Sequence, residues 1–259
     1  MTFSPPRQSV RPSPIFLLLV GLTAIGGALA WMGANSESPT TRIGVFLFVI
    51  AGWLVSLCLH EFGHAYTAWR FGDTDVAVRG YLTLNPLKYS NPFLSLGLPL
   101  LFIALGGIGL PGGAVYLRTG FMTPRQRTLV SLAGPFANLV LGMALLLAAR
   151  SFFDPQHLAF WGAVAFLGFL QITALLLNLL PIPGLDGYGA LEPHLGASIR
   201  QALEPVRQFG FFILLVVLLA PGPNRLFFSA VLWFFELADV PPALVGIGGR
   251  LTRFWSAWL

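Results

Sequence analysis

Charge is what this chain has least of. Of its 259 residues only 10% are Asp, Glu, Lys or Arg, whereas 56% are hydrophobic. A soluble globular domain carries about 25% charged residues, so that class is excluded. Cysteine is nearly absent. Cys58 stands alone, which rules out an intramolecular disulfide, and it reads as a small buried apolar side chain. The net charge of +5 is small and dispersed. No Lys/Arg cluster has the density that would point to nucleic acid, and an anionic lipid surface accounts for the excess. There is no internal repeat, no low-complexity tract and no polar stretch long enough to fold as a soluble domain. The function must be carried by the apolar part of the chain and its short connections.

Apolar runs of about twenty residues mark helices that span a bilayer. Such runs cover Pro14–Gly33, Arg42–Trp69, Leu129–Ala149 and Leu158–Leu180, with a shorter pair at Phe209–Ala220 and Leu226–Phe235. They predict an all-α polytopic membrane protein with about six transmembrane helices. A polar, proline-rich tail (1–13) precedes a membrane-embedded domain (14–240, core about 43–190). A C-terminal tail (241–259) carries Trp255 and Trp258 at headgroup level, as an interfacial anchor does. The first run exceeds the apolar length of a signal peptide, so it reads as an uncleaved span rather than a leader cut near Ala28–Ala30.

One further run, Pro92–Leu110, is interrupted by proline and glycine. If it does not cross completely and the N-terminus is inside, only Arg42, Arg150 and Arg225 of the 15 Lys and Arg residues fall outside. The positive-inside rule then puts the N-terminus, Arg250 and Arg253 on the cytoplasmic side. A complete crossing there would dilute this bias. The run therefore reads as re-entrant or interfacial.

Against this apolar background one stretch stands out: Cys58-Leu-His-Glu-Phe-Gly-His64. His60 and His64 are four residues apart and so share one helix face, one turn from each other. Two imidazoles at that spacing can bind one zinc ion. Glu61 lies beside that face, placed to take a proton from a water rather than to ligate. A polar helix end snorkelling to the headgroups is the alternative. It is weak for three ionisable groups together, because charge within a span is costly and marks a site.

A catalytic zinc takes three protein ligands, so a third must come from elsewhere. Among the few acidic residues, Asp186 is set apart by its surroundings, Asn178-Leu-Leu-Pro-Ile-Pro-Gly-Leu-Asp186-Gly187. Pro181 and Pro183 must end the preceding helix, and Gly184 and Gly187 let the chain turn. Irregular backbone at membrane depth is tolerated only around a protein-lined or watery cavity. His157 reads as a solvated loop residue.

Together His60-Glu61-x-x-His64 and Asn178-x-x-Pro181-x-Pro183-x-Leu185-Asp186-Gly187 resemble the site-2 protease family of intramembrane zinc metalloproteases. Ala133-Gly-Pro-Phe-Ala-Asn138 also resembles that family, and Leu82–Pro92 resembles a branch of its small bacterial members, the chain as a whole resembling a member without PDZ or CBS domains. The resemblance implies one zinc per chain held by His60, His64 and Asp186, with Glu61 as general base. It also implies that Asn138 and Asn178 are polar neighbours of the site, contacting substrate or an oxyanion; interhelical hydrogen bonding is the alternative for both.

The implied activity is hydrolysis of peptide bonds in or near the transmembrane helix of a membrane-protein substrate. The setting is the bacterial plasma membrane, with the N-terminus and the mouth of the site cytoplasmic. A shared metal requires His60 and Asp186 at one depth. This again favours a re-entrant or interfacial 92–110, with Pro111–Leu117 as a short cytoplasmic-side β element. Two other classes compete: a non-proteolytic zinc-binding membrane protein, for which Glu61 has no use, and a transporter, which broken helices also fit.

Overall fold

Three long helices begin at the same two-residue signal, a hydroxyl followed by proline. In the computed structural model, which describes residues 10–89 and 115–257, Ser13 caps α1 (Pro14–Met32) and Ser38 caps α2 (Pro39–Arg70). Thr123 does the same for a helix over Pro124–Phe152. Each hydroxyl accepts a hydrogen bond from an N–H of the first turn. Each proline fills a position whose own N–H would have lacked a partner. The helices at Pro39 and Pro124 therefore begin several residues before the apolar runs at Arg42 and Leu129, whereas α1 begins where its run does, at Pro14. With 32 residues, α2 is about 48 Å long. That exceeds the hydrocarbon thickness, so α2 must tilt or project beyond it.

The remaining helices are α3 (Asp75–Val78), α4 (Pro124–Phe152), α5 (Leu158–Asn178), α6 (Asp186–Leu191), α7 (Ala197–Leu203), α8 (Gly210–Leu219), α9 (Pro221–Leu237) and α10 (Ala243–Thr252). Four of them, α1, α2, α4 and α5, are long and apolar enough to cross a membrane. Residues 197–209 and 212–219, bent by 71°, supply a fifth span if they count as one. Six complete spans are not found among the described residues. Pro221 ends α8 after 10 residues and opens α9, which has 17. No paired strand occurs among the described residues, and 115–119 is neither helical nor paired. The β element expected at Pro111–Leu117 therefore has no counterpart there. Its first part, the run Pro92–Leu110 and Trp258 all lie outside the described residues.

Packing is centred on α5. It has 78% of its apolar stretch buried, against 22% for α1. α10 docks on it so closely that a Cβ at Gly248 would overlap the Gly162 carbonyl. Leu244 and Leu251 are buried with it. Small residues allow this backbone approach where no hydrophobic force separates helix from lipid. The outward faces of α1, α4 and α8 leave Leu17, Leu18, Phe136, Val140 and Val216 exposed, as contact with acyl chains requires.

The bundle has two ends. At one, the Ser13 N–H donates to the Thr83 carbonyl at 2.8 Å. There too the Arg118 N–H donates to Asp73 at 2.7 Å. The N-terminus, the C-terminal end of α2 and the start of α4 thus share this end. At the other, Asn35 bonds the turn at Pro155 and Leu158, and Arg150 pairs with Asp239 at 2.7 Å. Arg250 pairs with Glu37 at 2.7 Å, and Phe46 meets the rings of Phe254 and Trp255. The C-terminal helix thus stands at the end opposite the N-terminus, not beside it as the charge count implied. That count treated 209–220 and 226–235 as two crossings, and α8 is too short for one.

Gly44 faces α1, where an added Cβ would fall 2.7 Å from the Leu29 Cβ and 2.8 Å from the Ala30 nitrogen. Gly44→Val should therefore lower the unfolding midpoint in detergent, by an amount equivalent to about 1–3 kcal/mol. Metal binding at the distant end of α2 should be retained. Intrinsic-fluorescence melting checks the first and metal analysis the second.

Candidate metal centre

His60 and His64 project from one face of α2, and their Nε2 atoms face each other at 3.1 Å. α5 ends at Asn178. Proline at 181 and 183 prevents its continuation, and Gly184 takes φ +105°, a left-handed conformation that favours glycine. The chain thus folds back and opens α6 with Asp186. Asp186 Oδ2 lies 3.3 Å from His60 Nε2 and Oδ1 lies 3.3 Å from His64 Nε2. One ligand atom from each residue falls within 4.8 Å of the others.

Hydrogen bonds on the far side of each ring fix where the protons are. His64 Nδ1 faces the Val130 carbonyl at 2.7 Å. A carbonyl only accepts, so Nδ1 carries a proton and, in the neutral ring, Nε2 is bare. His60 Nδ1 donates to Asn138 Oδ1, which leaves its Nε2 bare as well. Asp186 Oδ2 is buried with no donor reaching it. With both rings neutral, three lone-pair donors therefore converge with no hydrogen between them, an arrangement that a bound cation satisfies. A tetrahedron with bonds of about 2.0–2.1 Å has edges of about 3.3–3.4 Å, which the observed separations of 3.1–3.3 Å match. Two imidazoles with a carboxylate suit zinc better than magnesium or calcium.

Space for such an ion depends on Gly134, which opens α4 against α2. A Cβ there would fall 2.6 Å from His60 Nε2 and would overlap His64 Nε2. Glu61 is 3% exposed and is hydrogen-bonded by the Val115 N–H. All four ionisable residues line a cavity of about 270 Å³ that also reaches Ser131, Asn178, Val115, Leu117 and Thr119.

The structure brings together His60, Glu61, His64, Asp186, Asn138 and Asn178. Asn138 holds an interhelical hydrogen bond to His60 rather than standing free in the cavity. Asn178 lines the cavity with no hydrogen bond among the described residues. Gly134, Ser56 and Gln171 escaped the sequence reading. A lone amide in the apolar stretch Leu158–Leu177 was the available signal for Gln171. His157 is not merely solvated: it stacks on Trp31 with centroids 3.7 Å apart. It also bonds Asp154, whose carboxyl is held below its usual range by the Gln156 N–H and then by His157 itself.

The family model "Peptidase family M50" matches residues 48–157. Over 258 residues, all of both chains, the sequence is 66% identical to the Mycolicibacterium smegmatis protein named "Putative zinc metalloprotease Rip2". The Mycobacterium tuberculosis protein of that name is also 66% identical, over 97% of both chains. "Putative zinc metalloprotease YwhC" of Bacillus subtilis is 34% identical over 67% of this chain and 81% of its own. The chain belongs to peptidase family M50, the site-2 protease family. No solved structure matches it. The M50 match ends before Gln171 and Asp186, so the fold alone brings those residues to the motif helix.

Gly134→Ala should remove most of the bound zinc, since its methyl group would occupy the space between the imidazoles. The methyl group meets the ends of two side chains rather than backbone, so the metal-free variant should still unfold cooperatively, with a midpoint lowered by the equivalent of no more than about 1–3 kcal/mol. Atomic-absorption analysis of purified variant and native protein checks this.

Proposed function

We propose that the chain is a zinc metalloprotease that cuts peptide bonds in or near transmembrane segments of membrane-protein substrates. One zinc per chain is held by His60, His64 and Asp186. The observation that carries this reading is the convergence of those three bare ligand atoms with Glu61 in one cavity inside a bundle of membrane-length helices. The names of the M50 relatives agree with its zinc metalloprotease part.

Bound zinc supplies Lewis acidity to the scissile carbonyl and makes water nucleophilic at neutral pH. Glu61 is the general base. Its carboxylate takes the proton of the attacking water and returns it to the leaving amine. The Val115 N–H orients that carboxylate. The Asn178 amide faces the cavity and offers a donor to the carbonyl oxygen as charge develops. No serine or cysteine nucleophile takes part, so no covalent intermediate forms.

A substrate helix has its carbonyls internally bonded and must unwind before it can be cut. Residues 115–119, neither helical nor part of a strand, border the cavity through Val115, Leu117 and Thr119, and the backbone groups not bonded to Glu61 or Asp73 are offered to such an unwound segment. Water enters from the end of the bundle shared by the N-terminus. The Lys and Arg residues at that end make it cytoplasmic in a bacterial plasma membrane.

Glu61→Gln should keep its zinc yet lose catalysis by about 10²–10⁴-fold. The assay is cleavage of a single-span test substrate co-reconstituted in liposomes, with zinc measured on the same samples. Undiminished cleavage by the variant would remove Glu61 from the mechanism.

A further inference from the structure

Beyond the ligands and the base lies a chain of polar side chains in the apolar interior. Asn138 Nδ2 donates to Gln171 Oε1 at 2.8 Å. Gln171 Nε2 donates to Ser56 Oγ at 2.7 Å. The Ser56 hydroxyl donates to the Trp53 carbonyl at 2.7 Å. With the His60–Asn138 bond, the relay crosses three helices: it starts on α2, passes through α4 and α5, and returns to α2. Gln171 is 0% exposed, Asn138 4% and Ser56 6%. All three residues are buried, although Ser56 and Asn138 also border the cavity.

A side-chain amide has a donor end and an acceptor end, so each link fixes the next. Reversing the relay is stereochemically simple, because each amide need only flip. The reversed relay would aim the Asn138 amino group at His60 Nδ1. The His60 proton would then move to Nε2, among the ligand atoms, where no metal could bind. The direction is decided at the far end. The Trp53 carbonyl can only accept, so it takes the one hydroxyl proton of Ser56. Ser56 Oγ must then accept from Gln171, and the order follows back to His60.

We infer that Gln171 and Ser56 are positioning residues for the metal: through Asn138 they select the His60 tautomer that leaves Nε2 free to ligate. This rests on the reading of His60 as a zinc ligand. It also explains a polar amide and hydroxyl on α5 and α2 that the chemistry itself does not use. Outer partners of metal-bound histidines typically govern about 10–100-fold in metal affinity.

The test is zinc affinity of the full chain in detergent, by chelator competition at one neutral pH. It is paired with nitrogen-15 spectra of the histidine-labelled, metal-free protein, which has four histidines. Gln171→Met keeps the volume and removes the relay. It should weaken zinc binding about 10–100-fold and give His60 a mixture of Nδ1- and Nε2-protonated signals, with His157 and His194 unmoved. Ser56→Ala should weaken binding less and shift the same signal. Ser56→Thr, which restores the hydroxyl, should recover native affinity, so this pair decides the matter if Gln171→Met fails to fold. Native affinity in Gln171→Met and Ser56→Ala, or His60 held Nδ1-protonated in both, overturns the inference while leaving the zinc site intact. A native chain that binds no zinc overturns both.

Discussion

Everything at the centre of this protein follows from two bare imidazole nitrogens and a carboxylate facing one another in an apolar interior. A buried acceptor without a donor costs about 1–3 kcal/mol, and here three such groups point at the same place. Water could relieve them only in part, and hydrophobic packing could not relieve them at all. A divalent cation turns the mutual repulsion into ligation, so the constellation makes sense as a metal site and poorly as anything else. The separations of 3.1–3.3 Å are those of donors around one small ion.

The fold is arranged to deliver that cluster. α2 carries both histidines and the base on one continuous helix. α4 contributes a missing side chain, Gly134, and two groups that hold the imidazoles from behind, Asn138 and the Val130 carbonyl. α5 ends where proline forbids it to continue, and the turn at Gly184 hands Asp186 to the histidines. Each contribution is short-range physics, a cap, a proline or a close backbone approach. Their agreement on one point in space is the long-range result.

Much of this was legible in the sequence because membrane chains have so few polar residues to choose from. His60, Glu61, His64 and Asp186 could be singled out by spacing and by the broken helix around Asp186. The starts of α2 and α4 were less legible, since Ser38 and Thr123 lie outside the apolar runs that hydropathy detects. The C-terminal end was misplaced. Two short apolar runs looked like a crossing pair, whereas the Glu37–Arg250 contact puts α10 at the far end. The roles of Gly134, Ser56 and Gln171 were not legible, because each depends on what faces it from another helix. An isolated glycine, serine or glutamine carries no periodicity to betray that.

The most direct measurement is zinc X-ray absorption on the detergent-purified chain, with zinc per chain measured on the same material, for the native sequence and for Asp186→Ala. One zinc per chain, with two imidazoles and oxygen at about 2.0–2.1 Å, and loss of that zinc in the variant, is the result this account requires. Substoichiometric zinc in the native protein, a sulfur ligand, or an unchanged coordination shell after Asp186→Ala would contradict it.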